Sequence, residues 1–185
     1  MADLPEPKAI LFDLDDTIVA FTTGSMDLWR ELCQRFSPLI EGIKPEQLLK
    51  AIDRSRNLYW FESDRTRSER FDLVTARREV VSLAFLELGI DDTETAHRLA
   101  DTYTTEREEQ GTLFPGAIDT LRHFKDGGVK LALVTNGSSE FQRNKIKRFE
   151  LAPFFDYILI DEEFGASKPG ESVFIHTLEQ LGVSA

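Results

Sequence analysis

The most constraining stretch of the chain is Ala9-Ile10-Leu11-Phe12, a short apolar run that passes directly into Asp13-Leu14-Asp15-Asp16-Thr17. Apolarity without alternation over so few residues describes a strand covered on both faces, as in a parallel sheet. Residues 129–134, entered through Gly127-Gly128 and left through Thr135-Asn136-Gly137, have the same character, and so do residues 157–160. Between these two runs, Ser138 or Ser139 supplies a cap for a helix reaching about Phe149. Another helix is expected from Pro115-Gly116 to Gly127, with Ile118, Leu121 and Phe124 at helical spacing. Strand and helix alternating after residue 114 place the chain in the α/β class, with a Rossmann-like parallel sheet between helical layers, three layers in all.

Residues 20–113 read differently: no comparable strand run occurs there, and the apolar spacing is helical throughout. Helices are expected near 25–37, 45–62, 67–88 and 92–109, with Gly89 closing the third and Asp91, Asp92 or Thr93 capping the fourth. The organisation is therefore a core of residues 1–19 and 114–185 with a helical cap, 20–113, inserted. Because the insertion leaves the sheet directly after the acidic block, it is expected over the carboxyl end of strand one, where open α/β sheets bind ligands.

Charge narrows the partners. Lys+Arg 22 against Asp+Glu 33 leaves a net charge of −11, which repels a polyanion, so nucleic acid is not expected. A small phosphorylated metabolite remains compatible if metal ions and local cations reverse the field inside a site. The single cysteine, Cys33, has no disulfide partner within the chain, suits a reducing compartment and reads as core filling. Residues 1–8 lack a charged-then-apolar leader pattern, and no stretch approaches the roughly 18 apolar residues a spanning helix needs. A cytoplasmic protein without a membrane partner is expected.

Asp13 and Asp15, separated by one residue just past a buried strand, can bind Mg²⁺ through oxygen and divide nucleophile and acid/base roles. Thr135-Asn136-Gly137 precedes a helix whose free N–H groups can hold a phosphate oxygen, with the Thr135 hydroxyl as an added donor. Lys168-Pro169, after the third strand, supplies a cation. Taken singly, each has a plain structural reading: a solvated acidic turn, an Asn-Gly turn, a loop lysine. Together they emerge at one edge of one sheet. Arg54, Arg56, Arg65, Arg67 and Arg70, facing Glu62, Asp64 and Glu69, read as a solvated helix face, and Arg143, Lys145, Lys147 and Arg148 as another. Trp29, Tyr59, Trp60 and Phe61 read as core. His97, His123 and His176 lack metal-ligand spacing.

These three stretches resemble the first three signature motifs of the haloacid dehalogenase superfamily, and the helical insertion resembles the cap found after its first motif. Residues 164–169 (Phe-Gly-Ala-Ser-Lys-Pro) and Leu113-Phe114-Pro115-Gly116 are similar to that superfamily's small-molecule phosphatases and nucleotidases. The resemblance implies a Mg²⁺-dependent phosphatase in which Asp13 forms an aspartyl phosphate and Asp15 acts as acid and then base. It further implies that Thr135 and the amide of Asn136, with Gly137, hold the phosphoryl oxygens, that Lys168 steadies charge and that Thr17 orients the loop. Mg²⁺ is implied on the Asp13 carboxylate and the Asp15 main-chain carbonyl.

Two departures stand out. Gly170-Glu171 occupies the place where close relatives carry Asp-Pro, and no acidic fourth motif follows residue 182. A truncated version of a longer enzyme is therefore expected, with strand one at an open sheet edge, weak metal affinity and little activity. A catalytically silent binding or regulatory protein of the same fold is the main alternative, and other chemistry of the superfamily, dehalogenase or phosphomutase, a more distant one. The acid at position 15 argues against dehalogenation, and a response-regulator receiver domain would not carry so long an insertion after strand one.

Overall fold

The computed structural model describes residues 7–21, 24–62 and 72–184, with the backbone alone at 61 and 62. Two compact units result: Met1–Thr22 together with Gly111–Ala185, and Thr23–Gln110.

In the first unit three strands, β1 (Ala9–Phe12), β4 (Lys130–Thr135) and β5 (Tyr157–Ile160), form a parallel sheet in the order β1-β4-β5. Phe12 lies opposite Leu133, and Thr135 opposite Ile160, so all three strands deliver their carboxyl ends to the same edge. Side chains alternate across the pleat. Ile10, Phe12, Leu131, Leu133, Ile158 and Ile160 face one layer, built on Leu121 and Ile146 of the helices Ala117–Asp126 and Ser139–Arg148. Ala9, Leu11, Ala132, Val134, Tyr157 and Leu159 face the other, built on Val173 and Leu181 of the helix Glu171–Leu181. Full burial of a side chain such as Leu131 or Leu133 contributes about 1.5–3 kcal/mol. β4 is buried from Leu131 to Thr135. β1, read from its sequence as buried on both faces, is only half-buried because β4 is its one partner among the described residues.

Two further strands escape a reading by periodicity because each has only two residues. β2 (Val19–Ala20) pairs antiparallel with β3 (Thr112–Leu113), so the ends of the segment 20–113, read as wholly helical, are extended.

The second unit is helical: Ser25–Phe36, Pro45–Asn57 continued by a π-helical turn at Leu58–Glu62, Leu73–Glu87 and Thr93–Gln110. Leu28, Leu32, Leu48, Ile52, Val81 and Leu99 fill its core, and the Trp29 ring stacks on Tyr103 with centroids 3.7 Å apart. Cys33 is buried there, which pushes its thiol up to about 12. Trp60, expected in the core, is 41% exposed. Arg54 pairs with Glu87, and Arg56 with Asp53 at 3.6 Å; Asp64, Arg65, Arg67, Glu69 and Arg70, and the side chains of Phe61 and Glu62, lie outside the described residues. No helix among the described residues is long and apolar enough to cross a membrane.

Two helices of this unit are capped by carboxylates: Asp72 accepts the Thr75 N–H at 3.0 Å and Asp92 the Thr95 N–H at 2.9 Å. These bonds hold both carboxyls below the ordinary Asp value of 3.8. A depressed folded pKa contributes stability that is fully present above the unfolded value and is lost as pH falls through the folded one. Asp92→Ala is therefore expected to lower the urea midpoint at pH 7, with the gap to the unaltered protein closing as pH falls below 3.8. A gap independent of pH in urea titrations would remove Asp92 from the cap.

Candidate active site

β1 ends at Phe12 and the next side chain, Asp13, stands at the sheet edge, where its Oδ1 accepts the Leu14 N–H and meets Lys168 Nζ, each at 2.7 Å. Leu14 is fully buried and anchors the loop: its carbonyl accepts the N–H groups of Ile18 and Val19, both at 2.9 Å. Asp16 takes a left-handed conformation, φ 59, which Asp tolerates better than most residues. Its N–H reaches the Val19 carbonyl at 2.7 Å and its Oδ1 accepts the Phe21 N–H at 3.0 Å. The loop is thus oriented by Asp16. Thr17, expected in that role, is exposed, with a long backbone contact of 3.4 Å to Leu14.

Asp15 is held on both oxygens. Lys145 Nζ lies 2.8 and 2.9 Å from Oδ1 and Oδ2, and Gln142 Nε2 donates to Oδ2 at 3.0 Å. Lys145, read from the sequence as part of a solvated face, is buried, its ammonium 3.6 Å from the centroid of the Phe21 ring. Its neighbours Arg143 and Lys147 are exposed as expected, Arg143 paired with Glu163. The signal was present: Gln142 and Lys145 are three residues apart, and with Ile146 they form the buried side of one helix.

β4 ends at Thr135, which is buried. The Asn136 side chain clasps the main chain of Lys168, accepting its N–H at 2.9 Å and donating to its carbonyl at 3.0 Å. That clasp sets the lysine whose ammonium meets Asp13. Gly137, expected to face a phosphoryl group, gives its N–H instead to Asp161 Oδ1 at 2.8 Å. Asp161 is buried at the end of β5, and its Oδ2 accepts the Ser167 hydroxyl at 2.8 Å. One carboxylate therefore ties the loop after β4 to the loop after β5. The N–H of Ser139, at the start of the following helix, is likewise taken, by Glu162 at 2.6 Å.

The arrangement brings Asp13, Asp15, Asn136 and Lys168 into one connected network at the carboxyl edge, with Thr135 beside it, and gives each of the two central carboxylates its own lysine. A half-buried carboxylate next to a cation, with a second carboxylate two residues on, is suited to group transfer from an anionic substrate. Among the described residues no three His, Cys, Asp or Glu side chains gather as a metal cage. The Asp13 carboxylate and the Asp15 carbonyl, which accepts no backbone hydrogen bond among the described residues, are nonetheless hard oxygen donors. Mg²⁺ is usually held by one or two carboxylates plus waters and phosphate oxygens, so this donor set fits it. An open cleft of about 830 Å³ lined by Ile118, Arg122, Ile146, Phe149 and Phe154 contains none of these residues and is not the site.

The profile of the haloacid dehalogenase-like hydrolase family matches residues 7–185. Pyrimidine 5'-nucleotidase YjjG of Escherichia coli K12 is 34% identical over 85 residues, 46% of this chain and 37% of that protein. Glyceraldehyde 3-phosphate phosphatase of Methanopyrus kandleri is 27% identical over 182 residues, 95% of this chain and 71% of that protein. Among solved structures, the HAD-hydrolase YfnB of Bacillus subtilis, described as bound to magnesium, superposes with TM-score 0.63 at 26% identity, covering 95% of this chain and 73% of that one. The chain thus spans about seven-tenths of the relatives it matches end to end and about a third of the nucleotidase.

Gly137 has φ +135, and a Cβ there would lie 2.7 Å from Gln142 Nε2. Gly137→Ala is expected to destabilise the protein by about 1–3 kcal/mol through backbone strain and, by displacing Gln142, to weaken the hold on Asp15. Urea unfolding gives the first effect. An unchanged midpoint would show that the turn tolerates a side chain.

Proposed function

The chain belongs to the haloacid dehalogenase-like hydrolases, and from that membership we propose that it hydrolyses small organic phosphomonoesters through a phosphoryl group carried transiently on Asp13. The observation that carries the reading is the pairing of Asp13 with Lys168 at 2.7 Å beside a second, separately held carboxylate, Asp15. Dehalogenation needs no acid for its leaving halide, whereas an alkoxide leaving group does. The nucleotidase and the glyceraldehyde 3-phosphate phosphatase to which the chain is similar both act, by their names, on small phosphorylated molecules.

In the first step an Asp13 oxygen attacks phosphorus, the bond from phosphorus to the ester oxygen breaks, and protonated Asp15 gives its proton to the departing alkoxide. In the second, Asp15 takes a proton from water as that water attacks the aspartyl phosphate, returning the Asp13 carboxylate and inorganic phosphate. Lys168 offsets negative charge as the phosphoryl group approaches, and its place depends on the Asn136 clasp. The Thr135 hydroxyl and the Asn136 main-chain N–H hold phosphoryl oxygens. The Asp13 carboxylate and the Asp15 carbonyl would hold Mg²⁺, which would supply charge neutralisation of those oxygens.

Asp13→Asn is expected to reduce phosphate release to background without loss of fold, because an amide fills the same space but forms no acyl phosphate. Substantial turnover by this variant would end the nucleophile assignment. Asp15→Asn is expected to slow alkyl phosphates by about 10²- to 10⁴-fold and 4-nitrophenyl phosphate by less, since nitrophenolate leaves without a proton; equal losses would count against the acid role. A chelator is expected to abolish release from every ester and Mg²⁺ to restore it, and turnover indifferent to both would exclude the metal.

A further inference from the structure

We propose that Lys145 and Gln142 are positioning residues for Asp15, fixing both carboxylate oxygens at the place where proton exchange with the leaving group and with water occurs. The proposal rests on the phosphatase reading above. Lys145 is 5% exposed and Gln142 3% exposed, on a helix whose other cations face solvent. The ammonium of Lys145 is confined by the two Asp15 oxygens at 2.8 and 2.9 Å and by the face of Phe21 at 3.6 Å. A charge so placed is drawn to the carboxylate and to the ring quadrupole at once, which leaves the group little freedom.

Gln142 closes the arrangement. Its Nε2 donates to Asp15 Oδ2 at 3.0 Å and to the Asn136 carbonyl at 2.8 Å, so both N–H bonds have acceptors and the orientation of the amide is determined. Rotating it would set Oε1 against two acceptors. In the observed orientation Oε1 is buried and finds no donor among the described residues. A buried amine and a half-satisfied buried amide both cost stability relative to apolar side chains. Their polar contacts converge on Asp15 and, through Asn136, on the loop that clasps Lys168. Proton donor and charge-offsetting lysine are thereby referred to one frame, and misplacement of such groups is costly in rate even when contacts to substrate survive.

The test compares Lys145→Met, Lys145→Arg, Gln142→Leu and, as control, the exposed Lys147→Met, each checked by urea unfolding and assayed on ethyl phosphate and 4-nitrophenyl phosphate. Lys145→Met is expected to lower kcat on ethyl phosphate by about 10- to 100-fold, with KM nearly unchanged and a smaller loss on the nitrophenyl ester. Lys145→Arg recovers part of the rate, Gln142→Leu shows the same pattern more weakly, and Lys147→Met is unaffected. Combining Asp15→Asn with Lys145→Met is expected to be no worse than Asp15→Asn alone, since residues acting as one unit are not additive. Equal losses on the two esters, or independent losses in the double variant, overturn the positioning role. If Lys145→Met does not fold, the ester ratio of Gln142→Leu decides the matter. An inactive Asp13→Asn beside an unimpaired Lys145→Met refutes the positioning role alone, while an active Asp13→Asn refutes the phosphatase reading itself.

Discussion

Like charges at the end of a sheet repel, and this chain places Asp13 and Asp15 there within a protein of net charge −11. At an effective dielectric near 20, unit charges 4 Å apart interact by about 4 kcal/mol, so neighbouring carboxylates call for opposing charge. Each is opposed. Lys168 arrives from beyond β5 and Lys145 from the helix after β4, so the acidic loop is held by side chains that only the assembled sheet brings near. The arrangement of β4 between β1 and β5 is what makes both approaches possible. A one-residue slip of β1 against β4 would exchange the inner and outer faces of the strand and turn Asp13 away from its partner.

Much of this framework is legible in the residues because burial on two faces leaves a plain mark. β4 and β5 read as apolar runs for that reason, and the helix Ser139–Arg148 follows from its Ser138 cap, whose Oγ accepts the Phe141 N–H at 3.4 Å. What periodicity does not carry is the purpose of a polar residue on a buried face. Lys145 sits among Arg143, Lys147 and Arg148, and composition groups the four together; only position around the helix separates the one that turns inward. β2 and β3, with two residues each, are too short to have a period at all. The left-handed conformation of Asp16, φ 59, is not legible in composition either, because it is set by the turn.

Strength and purpose diverge across the molecule. The second unit gathers aromatic and aliphatic side chains around Trp29 and Tyr103 and ties its helices with exposed pairs such as Arg35 and Glu106, 2.8 Å apart. Pairs in solvent contribute little each, so its cohesion is chiefly apolar. At the carboxyl edge of the sheet the balance reverses: Asp161, Lys145, Gln142 and Thr135 are all buried polar groups. Their order is specified by hydrogen bonds with fixed directions, which tolerate displacement far less than hydrocarbon contacts do.

The pairing of Val19–Ala20 with Thr112–Leu113 bears on the history of such a chain. Directly opposed residues of antiparallel strands lie about 4.5–5.5 Å apart, so the chain departs from the core at Ala20 and is back in it at Thr112 almost side by side. To the sheet, that long segment has the boundary conditions of a hairpin loop. Doubling the length of a loop adds only about 0.6 kcal/mol to the entropy of closing it, and the clip of β2 on β3 has already fixed the ends. Segments of very different size can be gained, lost or exchanged at this point while β1 and β4 keep their register, which makes the clip a seam at which the core tolerates insertion.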